Sequence, residues 1–169
     1  MKLAIVYWSG TGNTEAMANA MAEGAKEAGA AVDLLSVDEF NVDKLADFDG
    51  VLFGCPAMGN EVLEEAEFEP MFAELEAKLA GVPVGLFGSY GWGSGEWMED
   101  WKKRCGDDGA KVYGDGVIIN DVPDEAGLQQ CREYAMESVG DDAVLELQEE
   151  ELDDKKETLQ SQRSERRHG

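Results

Sequence analysis

The chain begins with an apolar run, a short loop of hydroxyl and glycine residues, and a helical pattern, in that order. The run Lys2–Tyr7 predicts a buried strand, and residues 13–29 place apolar side chains at helical spacing. Parallel strands need a long crossover connection that is usually a helix, so a strand closely followed by a helix is typical of a strand–helix–strand unit. This junction therefore favours a parallel sheet covered by helices.

The same alternation of apolar runs and helical patterns continues to about residue 140. The apolar runs predict further strands at 32–35, 51–54, 83–87 and 112–119. The helical patterns predict further helices at 69–80, 95–105 and 124–139. We therefore expect an α/β fold with five parallel strands and helices on both faces, which binds ligands beyond the carboxyl ends of its strands.

The loop after the first strand offers a site for an anion. It consists of Trp8, Ser9, Gly10, Thr11, Gly12, Asn13 and Thr14, and it contains neither Lys nor Arg. Its hydroxyl and backbone N–H groups lie at the expected N-terminus of the first helix, where the helix dipole favours negative charge. We predict that this loop binds a phosphate group by hydrogen bonds alone. The alternative is an ordinary turn in which Asn13 or Thr14 caps the helix.

Two further loops follow the third and fourth strands and suit a flat aromatic ligand. The second loop consists of Gly54, Cys55, Pro56, Ala57, Met58, Gly59, Asn60 and Glu61, and the third, at 88–97, includes Ser89, Tyr90, Gly91, Trp92 and Gly93. Met58 and Trp92 offer apolar faces to a ring, and Glu61 can accept a hydrogen bond from a ligand N–H. Each loop alone is compatible with an ordinary turn. Together, the three loops predict a phosphate site beside two walls for a flat ring.

The acidity of the chain restricts its partners. It carries 37 acidic against 14 basic residues, for a net charge of −23. Nucleic acid and anionic membranes are disfavoured because both require a basic face, whereas a basic protein partner is favoured. The alternative is that the acidity only maintains solubility or reflects a salty habitat.

The cysteines and the N-terminal residues indicate the cellular compartment of the protein. The three cysteines, Cys55, Cys105 and Cys131, have neither metal-ligand nor C-x-x-C spacing, which is typical of free thiols in a reducing compartment. The first apolar run is too short for a signal peptide, and no stretch is long enough to span a bilayer. We therefore expect a cytoplasmic protein that does not insert into a membrane.

The last part of the chain differs from the rest. Residues 141–169 contain no aromatic residue and are dense in charge. We expect a domain at 1–140 followed by a charged extension at 141–169, which forms a solvated helix or a flexible segment. A partner-binding tail is the alternative.

The three loops together resemble those of the short-chain flavodoxins of anaerobic bacteria. The resemblance runs from about residue 2 to residue 140. It rests on the motifs Trp-Ser-Gly-Thr-Gly-Asn-Thr at 8–14, Gly-Cys-Pro-Ala-Met-Gly at 54–59 and Gly-Ser-Tyr-Gly-Trp-Gly-Ser-Gly-Glu-Trp-Met at 88–98. It implies non-covalently bound FMN, and it implies the strand order 2-1-3-4-5 for which flavodoxin is itself a standard example.

The resemblance also implies roles for individual residues. Residues 9–14 would bind the FMN phosphate, Met58 and Trp92 would enclose the isoalloxazine ring, and Glu61 would accept from the flavin N3–H. The Gly59 carbonyl would turn toward N5–H on one-electron reduction, in a type II turn with Asn60 at positive φ. Asn120 would touch the ribityl chain. The remaining cofactor contacts would come from Trp8, Pro56, Ala57, Asn60, Ser89, Tyr90, Gly91 and Gly93.

The implied function is a low-potential one-electron carrier. Its partners would be redox proteins with basic docking faces, such as iron–sulfur proteins or flavin reductases, and it would work as a monomer. No substrate pocket or acid–base pair is visible in the sequence, so we expect a carrier and not an enzyme. The alternative is a flavodoxin-like, FMN-dependent NAD(P)H:quinone reductase. A phosphoacceptor domain is disfavoured, because Trp8, Ser9 and Gly10 stand where that class needs carboxylates.

Overall fold

A computed structural model of the chain describes residues 1–59 and 61–140. The expected positive φ of Asn60 and the expected extension at 141–169 lie outside the described residues.

The strands form a single parallel sheet. They are β1 (Lys2–Tyr7), β2 (Ala31–Ser36), β3 (Gly50–Gly54), β4 (Pro83–Tyr90), β5 (Lys111–Val112) and β6 (Val117–Asn120). Their order is β2-β1-β3-β4-β5, and β6 also pairs with β4. All of these pairings are parallel. The predicted parallel sheet and strand order are therefore confirmed.

The fifth position of the sheet differs from the prediction. A single strand at 112–119 was expected, but β5 and β6 are two short segments that both pair with β4. Gly114 and Gly116 between them have φ values of 58° and 81°, which take the chain out of the extended conformation. A Cβ at Gly116 would also lie only 2.8 Å from the Leu86 carbonyl oxygen.

Helices cover both faces of the sheet. They are α1 (Asn13–Glu27), α2 (Val42–Leu45), α3 (Phe68–Leu75), α4 (Glu96–Asp107) and α5, described over 125–140. Short 3₁₀ turns lie at Val37–Glu39 and Glu76–Lys78. The sequence pattern did not predict α2, because four residues are too few to show a helical period. Asn41 begins this helix by accepting a hydrogen bond from the Lys44 N–H at 3.1 Å.

The strand side chains alternate between two buried clusters. One face of the sheet packs against α2, α3 and α4 and contains Phe53, Phe68, Phe72, Trp97 and Trp101; we call it the aromatic face. The other packs against α1 and α5 and contains Ala18, Ala20, Ala22, Ala25 and Ala135; we call it the alanine face. The three loops singled out from the sequence leave the carboxyl ends of β1, β3 and β4, and therefore meet at one edge of the sheet.

Among the described helices, none combines the length and the apolar character that crossing a membrane requires. Within the same residues, no group of three or more His, Cys, Asp or Glu side chains is arranged to hold a metal ion. All three cysteines are buried as free thiols.

Candidate functional site

The three loops form one cleft at the carboxyl end of the sheet. The cleft has a volume of about 220 Å³. Its lining residues are Trp8, Gly10, Thr11, Asn13, Pro56, Ala57, Met58, Ser89, Tyr90, Gly91 and Asp121. All of them except Asp121 were candidate site residues from the sequence. None carries a positive charge.

The first loop presents backbone donors to this cleft. Gly12, with a φ of 96°, is the residue from which α1 begins. The Ser9 hydroxyl accepts from the N–H groups of Gly12 (3.1 Å) and Glu15 (3.2 Å), so Ser9 caps the first turn in place of Asn13 or Thr14. Among the described residues, the N–H groups of Gly10 and Thr11 have no hydrogen-bond partner. Two free donors therefore lie at the positive end of a helix.

Thr14 ties the first loop to the third. Its side chain is buried, and its hydroxyl oxygen lies 3.1 Å from that of Ser89. It also accepts weakly from the Ser89 N–H, at 3.4 Å. The structure therefore places Thr14 below the cleft as a connection between loops, and not among the lining residues. Its predicted contact with a phosphate stays a prediction.

Trp8 forms the wall of the cleft beside the first loop. Its indole ring lies over Gly10, where a Cβ would come within 3.0 Å of the ring. Its Nε1–H donates to Glu67 at 3.0 Å. Next to it, the Tyr7 hydroxyl donates to Glu15 at 3.2 Å, and burial together with this carboxylate raises the pKa of Tyr7. Within residues 1–59 and 61–140, the side chains around the loop are thus acidic and include no Lys or Arg.

The second loop is held against the third by backbone contacts. The Ala57 N–H donates to the Ser89 carbonyl at 3.0 Å, and the Trp97 indole N–H donates to the Cys55 carbonyl at 3.1 Å. Gly88 is required at this point, because a Cβ there would collide with the Cys55 carbonyl oxygen. These contacts fix Met58, which is half-buried, in the wall of the cleft.

Comparison with known proteins agrees with this geometry. The sequence model of the flavodoxin family matches residues 5–134. A flavodoxin of Megasphaera elsdenii is 56% identical over 129 residues, which cover 76% of this chain and 92% of the relative. A flavodoxin of Clostridium beijerinckii is 49% identical over 130 residues, covering 77% and 94%. The solution structure of two-electron reduced Megasphaera elsdenii flavodoxin superimposes with a TM-score of 0.76 at 52% identity, over 82% of this chain and 98% of that one.

This chain belongs to the flavodoxin family. These relatives are of the short-chain type of anaerobic bacteria, as the loop motifs indicated. Besides Thr14, three predicted site residues have placements in this structure that the sequence did not anticipate. They are Glu61, Trp92 and Asn120.

The turn after Met58 begins at Gly59, which has a φ of 31°. The predicted type II turn concerns the one-electron-reduced state and includes Asn60, so it stays a prediction. Met58 and Val62 exchange two backbone hydrogen bonds, of 2.9 and 3.2 Å, so three residues separate the paired positions. Glu61, with a φ of 55°, carries the second reversal of this longer turn.

Glu61 lies at the N-terminus of α4 instead of in the lining of the cleft. Its carboxylate accepts from the N–H groups of Gly95 and Glu96, each at 3.2 Å. It also covers Gly93, where a Cβ would collide with it. Gly95, which precedes the first residue of α4, has no side chain that could cap the helix. The N–H groups at the start of α4 therefore need an acceptor from elsewhere in the chain, and this need was the signal in the sequence for a distant carboxylate.

Asn120 holds the backbone of the third loop. Its Nδ2 donates to the carbonyls of Tyr90 (3.3 Å) and Gly91 (3.2 Å). The next residue, Asp121, has a φ of 58° and donates from its N–H to the Tyr90 carbonyl at 2.7 Å. This conformation brings Asp121 into the cleft, a placement that sequence reasoning missed.

Trp92, by contrast, is 67% exposed and does not line the cleft.

Proposed function

We propose that this protein carries electrons one at a time between redox partner proteins, with non-covalently bound FMN as its cofactor. The observation that carries the proposal is the convergence of the three loops on one cleft in a chain of the flavodoxin family. Flavodoxins are electron-transfer proteins and not enzymes, so the quinone reductase alternative is not favoured.

The residues of the cleft fit FMN. Gly10 and Thr11 offer free N–H groups, and the neighbouring hydroxyls add further polar contacts, which together suit a phosphate at a helix N-terminus. Pro56, Ala57 and Met58 offer an apolar wall that suits a flat ring. When bound, FMN supplies the one-electron redox chemistry of its isoalloxazine ring.

The charges around the cleft favour a low reduction potential. Among the described residues, no Lys or Arg lines the cleft, whereas Asp121 does, and the carboxylates of Glu15 and Glu67 lie behind its first loop. Placing additional negative charge near carboxylates is unfavourable, and the phosphate site provides no compensating cation. These groups would make bound FMN a strong reductant when it is fully reduced and anionic.

The finer contacts with the flavin are part of the proposal. Trp92 lies between Gly91 and Gly93, which give the loop the freedom to place the indole against the ring. The Glu61 carboxylate has lone pairs beyond the two that α4 uses, and these can accept from N3–H. Asn120 would act on the cofactor mainly through the third loop. Stacking should quench the fluorescence of Trp92 when FMN binds. In a variant that retains only this tryptophan, emission that stays unchanged on adding FMN would contradict its stacking role.

We also propose partners with basic docking faces, such as iron–sulfur proteins or flavin reductases, and a cytoplasmic location for a monomeric carrier. The net charge of −23 and the three buried free thiols support these assignments. If electrostatic attraction steers the partners, electron-transfer rates should fall as salt rises. A rate independent of ionic strength would contradict steering.

Residues 1–140 are proposed as the FMN-binding domain, with 141–169 as an extension. Every cofactor contact named above lies within the compact unit Met1–Val139. A protein truncated after Gly140 should therefore bind FMN with unchanged affinity, measured by fluorescence titration. A large loss of affinity would show that the FMN-binding domain extends beyond residue 140.

An anaerobic reductive titration of the purified protein tests the function. We expect a yellow flavin spectrum that passes through a blue one-electron-reduced form before it bleaches. A colourless protein that takes up no added FMN would overturn the proposal. Sustained oxidation of NADH by the pure protein would contradict a simple carrier role.

A further inference from the structure

A separate cavity lies between α3, α4 and the segment that joins β3 to α3. It has a volume of about 140 Å³ and shares no lining residue with the cleft at the carboxyl end of the sheet. Its apolar lining includes Leu63, Trp97 and Trp101, and its lining residue Asp100 is exposed, so solvent reaches it. A space of this size holds about five water molecules, at ~30 Å³ each, or one small organic molecule.

Trp101 brings an unsatisfied hydrogen-bond donor to this cavity. Its side chain is 1% exposed, and its indole Nε1 has no hydrogen-bond partner among the described residues. The indole of Trp97, by contrast, is satisfied, because its N–H donates to the Cys55 carbonyl at 3.1 Å. A buried donor without an acceptor costs free energy. Trp101 therefore favours a ligand that brings an acceptor atom into the cavity.

The charged groups of the lining favour a cation. Among the described residues, the acidic lining residues are Glu61, Glu69 and Asp100, and the basic one is Arg104. The Arg104 guanidinium is already engaged, because it donates to both oxygens of Glu69, at 2.7 and 2.5 Å, and to both oxygens of Glu76, at 2.9 and 2.6 Å. The lining therefore carries an excess of negative charge next to two indole rings, which attract organic cations.

We propose that this cavity binds a small amino alcohol in its protonated form. The hydroxyl oxygen of the ligand accepts from the Trp101 N–H, and its ammonium group lies among the carboxylates of the lining. An inorganic cation would leave the indole N–H without an acceptor, and a carboxylic acid would be repelled by the carboxylates. A ligand with one hydroxyl and one ammonium group meets both requirements.

Glu61 links this cavity to the cleft. In the proposed carrier function its carboxylate accepts from the flavin N3–H, and the same residue lines the cavity. An ammonium group beside this carboxylate offsets its negative charge, which disfavours reduction of the flavin. Binding of the ligand and reduction of the flavin should therefore favour each other. This link rests on the proposed function, whereas binding of the ligand does not.

The test is an NMR titration of the oxidised, FMN-loaded, full-length protein with ethanolamine at neutral pH, where its amine is protonated. The indole N–H signal of Trp101, assigned through Trp101→Phe, reports on the site. Two further molecules test the two ends of the ligand separately. Propylamine has a methyl group in place of the hydroxyl group, and ethylene glycol has a hydroxyl group in place of the ammonium group.

We expect ethanolamine to shift the Trp101 indole signal with a Kd on the order of 1 mM. Propylamine and ethylene glycol should each bind about fivefold more weakly, because each lacks one of the two interactions. No shift at a large excess of ethanolamine would mean that the cavity holds only water, and would overturn the proposal. Equal affinity for propylamine would overturn the role of the Trp101 N–H.

Substitutions of single residues locate the ligand. Asp100→Asn should weaken ethanolamine binding about threefold, whereas Glu99→Gln, an equal loss of charge on the same helix outside the lining, should leave it unchanged. Trp101→Phe, followed through the Trp97 indole signal, should weaken binding of ethanolamine but not of propylamine. If this variant does not fold, Asp100→Asn and the pair of amines still decide. Equal weakening by Asp100→Asn and Glu99→Gln would assign the effect to net charge and overturn the site.

The flavin gives a second measurement. Saturating ethanolamine should raise the reduction potential of the parent protein, and ethylene glycol should not. An unchanged potential with ethanolamine bound would overturn the link through Glu61. Failure of the protein to take up FMN would refute the carrier function alone, because the cavity can still be titrated in the protein without FMN.

Discussion

The two faces of the sheet are packed by different means. On the aromatic face, four large rings interlock (Phe53, Phe68, Phe72 and Trp101), with Phe72 edge-on to Phe53 at 5.3 Å between ring centroids and edge-on to Trp101 at 5.9 Å. On the alanine face, α1 and α5 approach so closely that a Cβ at Gly24 would collide with the backbone carbonyl of Arg132. The first face is filled largely by aromatic rings. The second also contains large side chains such as Met17, Met21 and Phe87, but its small residues let the backbones of two helices meet at Gly24.

The difference predicts opposite sensitivities. Removing atoms from the aromatic face leaves a cavity lined by rigid rings, which cannot easily collapse into it. Adding atoms to the alanine face forces two helices apart. The aromatic face should therefore be most sensitive to smaller side chains, and the alanine face to larger ones.

The largest effect is expected on the aromatic face. Phe72 is fully buried, and Phe72→Ala should lower the free energy of unfolding by about 3–5 kcal/mol through lost burial and a large cavity. Phe72→Leu, which retains much of the volume, is the control and should lose clearly less. Urea unfolding of the holoprotein measures both. A loss near 1 kcal/mol for Phe72→Ala would mean that this face repacks and that the contrast is wrong.

On the alanine face, a single methyl group should be enough to destabilise. Gly24→Ala places a Cβ against the Arg132 carbonyl and should lower the unfolding free energy by about 1–3 kcal/mol. The matched control is Gly106→Ala in α4, where nothing lies within 4 Å of the new Cβ. This control should stabilise by about 0.5–1 kcal/mol, because alanine favours a helix over glycine. If both variants become more stable, the close approach of α1 and α5 is not a constraint.

A smaller, pH-dependent effect is expected at Glu64, in the loop that precedes α3. Burial raises the pKa of this carboxyl, but hydrogen bonds from the N–H groups of Phe68, Glu67 and Ala66 outweigh it, so the pKa is lowered overall. Such a group stabilises the fold fully above its unfolded pKa of about 4.3, and this contribution is lost as pH falls through the lower folded value.

Glu64→Gln should therefore cost about 1 kcal/mol near neutral pH and progressively less in acid. Glu65→Gln removes an exposed carboxylate from the same loop and serves as the control, with little change expected at either pH. Thermal unfolding of the three proteins over a series of pH values gives the comparison. A constant difference between Glu64→Gln and the parent at all pH values would contradict a role for the charged carboxylate.

The smallest signals come from the thiols, which report on each face separately. Cys105 lies on the aromatic face and Cys131 on the alanine face, and burial raises the pKa of each to about 12. Both should resist labelling in the native parent protein, because few thiolates form and access is blocked. Phe72→Ala should speed labelling of Cys105, and Gly24→Ala that of Cys131, as mapped by mass spectrometry. Equal acceleration at both thiols would show that the two faces open together.

Features with a local signal were predicted from the sequence. The strand Lys2–Tyr7 and the start of α1 at Asn13 were predicted at the residues where they occur, because apolar runs and helical spacing are properties of neighbouring residues. The parallel order was carried over from the family resemblance and is confirmed by the structure. Ten of the eleven cleft-lining residues were named in advance, because they belong to the three motifs that carry the family resemblance.

What the sequence did not reveal depends on distant partners. The Thr14 and Ser89 hydroxyls meet across 75 positions, and Glu61 reaches α4 across 34. The first pairing has no signature within either segment, and the second had only an indirect one, in the start of α4 at Gly95, which has no side chain to cap the helix. The break in the fifth strand did have a local signal, the two glycines Gly114 and Gly116. A single strand was predicted nevertheless, because apolar residues lie on both sides of them.

That break also bears on how the protein behaves at high concentration. The strand at the border of a sheet exposes unpaired N–H and C=O groups, which can recruit a strand from another molecule and start an aggregate. Here that border consists of a two-residue and a four-residue segment, separated by a turn that contains Asp115. Neither segment is long enough to template an intermolecular sheet, so this side of the fold is protected against aggregation by its own interruption.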